Sequence, residues 1–536
     1  SRSPVSAMSA TPTTPVATAA ADRFSKRHVA WLLGATLLGL VLRFWQLGEW
    51  SLWIDEAHTW RDATLPIAGD RGFFGSDRGQ YPLAFLLVRG LLALGWIAND
   101  EFGLRVPFAV VGALSVPVLA LAGRRIVGPS AAVAAAWLCA VHPWHLFWSQ
   151  NARGYALMFL FALLATNRLA AWAEDGRLRH LPAALLAVGM GVLSHPTGAL
   201  LPAGAVAFLL LRRFARDEDR RLPIAAMVVT VLAMVATVVL AKYSPFQKFL
   251  AAKADPSPLH LLQTVAYYFR PEMLVAGLVG LVLCGLQWPA RRGLFVACLM
   301  VAPFLLLLAV GSTLVKTTAR YAFAALPIWL LLAGRTIVPW FGAAVADHRT
   351  RMLPSMVAVV ALAAGSVTEL VGYYGHQFGQ RARWREACEF VVAEAATAES
   401  RGTPPRLRVL TVNQPSVIYY LCPSLWAVGG VEGERITTHQ LVEWEFDGAW
   451  RPGGVGDEVR YHQPGVEAHF AWHRAEAKRR NQRFAVVVSL PELQEIDVTG
   501  SVQAMLRRDY RLALHLPCWV GPKDESIYVY FPRDER

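Results

Sequence analysis

Apolar residues gather along this chain in long runs divided by short polar segments, and the runs have the length of bilayer-crossing helices. A membrane helix needs about 20 consecutive apolar residues. Runs that qualify fall at 28–47, 102–123, 129–148, 155–172, 181–195, 197–211, 222–241, 272–288, 293–311, 321–340 and 353–374. One further run, Tyr81–Ile97, decides the topology. If it does not span, the loops holding Arg124-Arg125, Arg177/Arg179, Arg212/Arg213/Arg216/Arg220/Arg221, Arg291-Arg292 and Arg349/Arg351 share one side with Arg23, Lys26 and Arg27. That side is the cytoplasm by the positive-inside rule. If it spans, every cluster after Glu101 moves outside, against the rule. The run also carries Arg89 mid-length, at a cost of about 2.5–3.5 kcal/mol in a bilayer centre. Tyr81–Ile97 is therefore expected to be an interfacial or re-entrant helix on the outer face.

The expected architecture is a polytopic α-helical membrane protein of about eleven spans. Its N-terminus lies in the cytoplasm and its C-terminus outside. Residues 1–27, rich in Ala, Thr, Ser and Pro, read as a disordered cytoplasmic tail. Residues 28–375 read as the transmembrane domain with its outer loops, and the run at its start, with no small-residue cleavage site, as a retained helix. From residue 376 the pattern turns soluble. Helical stretches at 381–398 and 466–481 alternate with β-rich runs at Arg406–Val412, Phe484–Ser489 and Ile527–Phe531, which predicts an extracytoplasmic α/β domain over 376–536. No repeat of the kind that builds transporter halves is visible.

Composition agrees. The chain is 55% hydrophobic and 17% charged with mean hydropathy +0.36, where soluble domains are about 25% charged. The net charge of +13 sits in short clusters between apolar runs and not in a basic tail, so nucleic acid is not an expected partner. Cys139, Cys284 and Cys298 lie in apolar runs; Cys388, Cys422 and Cys518 lie in the soluble part, and no pair has metal-ligand spacing. A Cys422–Cys518 disulfide is one alternative in an oxidising compartment and two thiols the other.

With this topology the chemically interesting loops share the outer face. Asp55-Glu56 and His58 follow Trp50 and Trp53. The second outer loop holds His142, His145, Gln150, Asn151, Arg153 and Tyr155; His195 and then Lys316, Arg320 and Tyr321 follow. An acidic pair at interfacial depth points to function, while a solvated loop is the plain alternative. Arg153, Lys316 and Arg320 are phosphate ligands or helix-end anchors. The histidines are packing residues or metal ligands.

The acidic pair in the first outer loop, the Tyr81-Pro82-Leu83 helix start, Gln150-Asn151-Ala-Arg153-Gly-Tyr155-Ala-Leu and Arg320-Tyr321 together resemble the GT-C superfamily of membrane glycosyltransferases. The branch they are most similar to is that of the protein O-mannosyltransferases and lipid A aminoarabinose transferases. The resemblance covers about residues 28–340, and the soluble part resembles that branch's C-terminal domain. It implies a sugar donor linked to polyprenyl phosphate, inverting transfer to a lipid, glycan or protein acceptor, and a place in the bacterial inner or plasma membrane among membrane lipids. It further implies Asp55 as general base and Glu56 as the residue orienting the acceptor or tuning Asp55. Arg153, Lys316 and Arg320 would hold the donor phosphate, with Tyr155 and Tyr321 lining the pocket; His58, His195, Gln150 and Asn151 are pocket candidates. Asn151 stands where relatives carry an acid, which weakens the case for a bridging divalent metal, and no cofactor is expected. Gln80 stands where the aminoarabinose transferases carry Lys, which leaves the acceptor open. The alternatives are a transporter or flippase of a lipid-linked precursor, and a scaffold built on the soluble part.

Overall fold

A computed structural model describes residues 23–67, 73, 79, 81–211, 258–287, 290–313, 317–338, 348–398, 406–423, 435–441, 463–497, 500–520 and 523–534. The expected run 222–241, residues 242–257 after it, Gln80 and Lys316 lie outside these residues.

The apolar part runs through α1 (Lys26–Phe44), α2 (Ile54–Thr64), α3 (Leu83–Ala93), α4 (Glu101–Val127), α5 (Pro129–Val141), α6 (Pro143–Ser149), α7 (Tyr155–Asp175), α8 (Leu181–Ser194), α9 (Leu201–Leu211), α10 (Pro258–Phe269), α11 (Pro271–Gln287), α12 (Ala290–Thr313), α13 (Leu326–Ile337) and α14 (His348–Gly375). Among the described residues α1, α4, α7 and Met356–Gly375 of α14 are long and apolar enough to cross a membrane. Helices α10 and α11, bent by 91° at Arg270, make a fifth if counted as one span. The other apolar helices are shorter, so the expected count of about eleven is not reached by helix length alone. Helix α3 has 11 residues, about 16 Å at 1.5 Å per residue, against a hydrocarbon thickness of about 30 Å. It is too short to span. Its Arg89 donates to the carbonyl of Leu65, which caps the C-terminal end of α2.

One expected span is divided. Pro143 cannot continue a helix that needs its N–H, so 129–148 becomes α5 and α6 with a break at His142. The last carbonyls of α5 then lack intrahelical partners. Arg43 of α1 supplies them: its guanidinium donates to Cys139 O at 3.1 Å and Ala140 O at 3.0 Å. Its Nη2 also stands 2.7 Å from His145 Nδ1. His142 and His145 are therefore fully buried, the packing residues of the two readings the sequence offered.

The two ends of the bundle are distinct. Arg124, in the last turn of α4, lies 5.6 Å over the ring of Phe24, and His28 reaches Ser130, so these basic termini share one end. The acidic and cationic loop residues gather at the other.

The C-terminal residues form α15 (Trp384–Ala398), β1 (Leu407–Thr411), α16 (Gln414–Leu421), β2 (Ile436–Gln440), α17 (Gln463–Arg479), β3 (Arg483–Ser489), α18 (Leu490–Ile496), α19 (Ser501–Asp509), β4 (Tyr510–Leu516), β5 (Trp519–Val520), β6 (Lys523–Asp524) and β7 (Ile527–Pro532). Five strands make one sheet in the order β2-β1-β3-β7-β4, parallel across β2-β1-β3 and antiparallel across β3-β7-β4. Strands β1 and β3 are buried on both faces, as central strands covered by helices on each side are. Ala485 and Val487 pack towards α15, and Phe484, Val486 and Val488 towards α17 and α19. The three strands and two helices read from the sequence are present within a few residues. The six cysteines are all thiols, so Cys422 and Cys518 form no disulfide; the Cys518 thiol donates to the Arg381 carbonyl at 2.9 Å.

Candidate active site

Helix α2 begins immediately after Trp53, and its first turn carries Asp55 and Glu56. Acids there are favoured by the positive end of the helix dipole. Adjacent positions on a helix are about 100° apart, so the two carboxylates face different surroundings.

Glu56 faces inward and is fully buried. Its Oε1 accepts from Arg105 Nε at 2.7 Å and from the Ala152 N–H at 2.9 Å; its Oε2 accepts from Arg105 Nη2 at 2.7 Å and Arg381 Nε at 3.4 Å. A carboxylate offers about four lone-pair sites, and all are used. Burial opposes the charge, but Arg105 and Arg381 outweigh it and hold the Glu56 carboxyl below the usual carboxylate range. Glu56 therefore has no acceptor site left with which to orient a substrate hydroxyl; of the two roles the resemblance implied, this geometry leaves the tuning of Asp55. Arg105 spends its remaining N–H groups on the carbonyls of Leu47, Trp50 and Ser51.

Asp55 faces the other way, with its side chain 26% exposed. Arg153 Nε lies 3.9 Å from its carboxylate, and Arg153 Nη1 donates to its backbone carbonyl at 3.4 Å. Burial would lower the Arg153 guanidinium; Asp55, Tyr81, Tyr155 and Asp62 reverse this and raise it. Arg320, in a 3-10 turn over Ala319–Ala325, reaches the Tyr321 hydroxyl at 3.3 Å. Its charge is favoured, against burial, by Tyr321, Tyr155 and Asp55. Tyr155 stacks between Trp148, with ring centroids 3.8 Å apart, and His195, at 4.1 Å; Tyr81 lies 6.1 Å beyond His195. Gly154 lets the end of α8 approach this loop closely, since a Cβ there would stand 1.9 Å from the Ser194 carbonyl.

Five loop regions thus converge, and Asp55, Arg153, Tyr155, His195, Arg320 and Tyr321 come together as the sequence suggested. Two pocket candidates do not. Gln150 is buried, with its amide donating to Leu42 O, Arg43 O and Trp45 O at the end of α1 and accepting from the Tyr373 hydroxyl, so it caps a helix. Asn151 is buried with its Oδ1 accepting from the Trp53 indole at 3.0 Å. His58 is half-buried one turn along α2 from Asp55. Sequence reasoning missed Asp62, seven residues after Asp55 and so on the same face of α2. It missed Tyr81 as a site residue, although the helix start was noted. It missed Arg105, whose place inside an apolar run was the available signal. For Arg381 the sequence carries no signal. Among the described residues no three His, Cys, Asp or Glu side chains are grouped to hold a metal ion.

In comparisons with known proteins, residues 79–240 match the model of the dolichyl-phosphate-mannose-protein mannosyltransferase family. No curated protein sequence matches the chain. Among solved structures, ArnT from Cupriavidus metallidurans bound to undecaprenyl phosphate is similar over 94% of this chain and 98% of its own, with TM-score 0.55 and 15% identity. The archaeal oligosaccharyltransferase AglB from Archaeoglobus fulgidus, in complex with an inhibitory peptide and a dolichol-phosphate, is similar over 87% of this chain and 69% of its own, with TM-score 0.56 and 13% identity. The chain therefore has the fold of the GT-C membrane glycosyltransferases.

Proposed function

We propose that this protein is a glycosyltransferase that moves a sugar from a polyprenyl-phosphate donor to an acceptor outside the cytoplasm, with inversion. The observation that carries the reading is the meeting of one partly open carboxylate, Asp55, with two guanidiniums, Arg153 and Arg320, at one end of a fold seen elsewhere with polyprenyl phosphates. In this account the acceptor hydroxyl donates to Asp55 at about 2.6–3.2 Å and gives up its proton there. The acceptor oxygen attacks the anomeric carbon on the face opposite the phosphate. The bond from that carbon to the phosphate oxygen breaks, and polyprenyl phosphate leaves with the electron pair. Arg153 and Arg320 bind the phosphate in the ground state and stabilise the charge that grows on it. Tyr155, Tyr321 and Tyr81 wall the same space. The reaction written this way uses no cofactor, and lipid, glycan and protein acceptors all satisfy it.

The test is a binding and turnover measurement on protein in lipid nanodiscs. Arg153→Gln and Arg320→Gln each remove a charge-assisted contact of about 1.5–3 kcal/mol, so each weakens undecaprenyl phosphate binding about 10–100-fold. Wild-type protein given polyprenyl-phosphate sugars releases the free lipid phosphate as product. Undiminished lipid binding in the double variant contradicts the reading.

A further inference from the structure

Glu56 ties together four parts of the chain: α2, which carries Asp55; α4, through Arg105; the second outer loop, through the Ala152 N–H; and the segment leading into the C-terminal sheet, through Arg381. Ala152 directly precedes Arg153, so the carboxylate beside Asp55 also holds the backbone beside the phosphate ligand. Arg381 is itself almost wholly buried. Besides Glu56 it donates to Gln150 O at 2.6 Å, Tyr373 Oη at 3.1 Å and Gly379 O at 2.8 Å. Its guanidinium lies 5.2 Å over Phe147 and 5.7 Å over Trp50. Gly379, two residues before it, has φ +62, and a Cβ there would stand 2.3 Å from the Trp50 ring, so the segment is fitted closely under the first outer loop.

A second set of contacts leads from the same C-terminal part to the same helix. Tyr419 of α16 packs edge-on against Trp60 of α2 with centroids 5.0 Å apart. Tyr420 Oη accepts the Leu52 N–H at 2.6 Å and donates to Glu101 at 3.0 Å, and Arg385 also pairs with Glu101. The C-terminal part therefore grips the loop before α2 and the middle of α2, while Arg381 reaches the carboxylate next to Asp55.

We infer that Arg381 is a positioning residue, and that through it the C-terminal part sets the spacing of Asp55 from Arg153. The inference rests on the reading proposed above for Asp55 and Arg153. Arg381 touches no reacting atom; it acts through Glu56 and the Gln150 carbonyl. Without it, one acceptor site of Glu56 and the carbonyl before Asn151 lose their donor, and the first and second outer loops are no longer fixed to each other from below.

The experiment compares Arg381→Gln, Arg381→Lys and Glu56→Gln with Arg511→Gln, a distant control on β4, in nanodiscs. Backbone hydrogen exchange is followed in peptides covering 52–60 and 149–156, alongside undecaprenyl phosphate binding and sugar transfer per folded molecule. The expected result for Arg381→Gln is at least 10-fold faster exchange in both peptides and at least 10-fold lower kcat, with donor KM within about threefold. Arg381→Lys keeps the charge but not the planar fork, and falls between. Arg381→Gln and Glu56→Gln combined are no worse than the poorer single variant, since both break one link. Unchanged exchange in Arg381→Gln overturns the inference, whether or not transfer falls. If Arg381→Gln does not fold, Arg381→Lys decides by the same exchange readout. If wild type transfers no sugar while exchange in Arg381→Gln rises, the positioning stands and the reading of function fails.

Discussion

Arg105→Met should cost this protein much of its stability at the Asp55 end of the bundle. Arg105 is fully buried at the start of α4 and uses its N–H groups on Glu56 and on the carbonyls of Leu47, Trp50 and Ser51. Methionine fills similar space but donates nothing. Removing one partner of a buried ion pair costs about 3–5 kcal/mol, because the other charge stays behind without compensation. Arg381 and Ala152 still hold Glu56, which pulls the expected cost to the lower end of that range. Three carbonyls losing their donor push it up again, at about 1–3 kcal/mol for each that water cannot reach. We therefore expect at least about 3–5 kcal/mol, and more to the extent that the three carbonyls stay dry. The assay is the fraction of monodisperse protein surviving a heating series in detergent, read by fluorescence-detected size exclusion. Arg105→Lys should recover part of the loss, and Glu56→Leu with Arg105→Met should be less damaging than Arg105→Met alone. An Arg105→Met protein with wild-type survival would refute this account of the buried cluster, and so would a double variant much worse than the single.

Four other outcomes are expected. Gly154→Ala should reduce donor binding and transfer together, since its Cβ meets the Ser194 carbonyl and forces the end of α8, with His195, away from Arg153 and Tyr155; a transfer assay with lipid binding in parallel checks this. Arg153→Lys should keep folded yield while weakening undecaprenyl phosphate binding, because the ammonium lacks the bidentate fork, and binding equal to wild type would contradict it. In the C-terminal sheet, burial and neighbouring cations push His439 down to about 4, and burial and neighbouring imidazoles push His473 down to about 2, while Arg408 Nε donates to His473 Nδ1 at 2.9 Å. A base whose folded pKa is depressed contributes stability that is complete above its unfolded value of 6.5 and is lost as pH falls towards the folded value. Protection factors in β1 and α17, exchange measured against the intrinsic rate at each pH, should accordingly fall from pH 6.5 to 4, and unchanged protection counts against the neutral pair. Finally, alkylation without reductant should find Cys422 and Cys518 as thiols that react only after denaturation; a linked peptide would contradict the geometry.

Much of the architecture was legible because membrane helices and buried strands both write themselves as apolar runs. The demotion of Tyr81–Ile97 followed from one charge, Arg89, and from the sidedness of the basic clusters; helix α3 is indeed half a membrane long. Legibility failed where tertiary partners decide. Nothing local says that Arg43 will reach the last carbonyls of α5 and bring His145 inside, or that Gln150 will close the end of α1. The site divides the same way. Asp55, Arg153, Tyr155, Arg320 and Tyr321 were found from their residue types at the outer ends of apolar runs. The different surroundings of Asp55 and Glu56 are not legible from their adjacency, since on a helix two neighbours point about 100° apart and only the fold shows what each meets. The Glu56 partner Arg381 comes 325 residues later, a separation that no pattern in one sequence can bridge.

The central claim is that Asp55 takes the proton of the acceptor. Asp55→Asn keeps shape and size but cannot serve as that base, and general-base loss costs about 100–10,000-fold. The measurement is single-turnover transfer by Asp55→Asn protein in nanodiscs loaded with a polyprenyl-phosphate sugar. The account predicts that the donor still binds with near wild-type affinity and that product appears at least about 100-fold more slowly. Transfer at the wild-type rate with donor bound would contradict it.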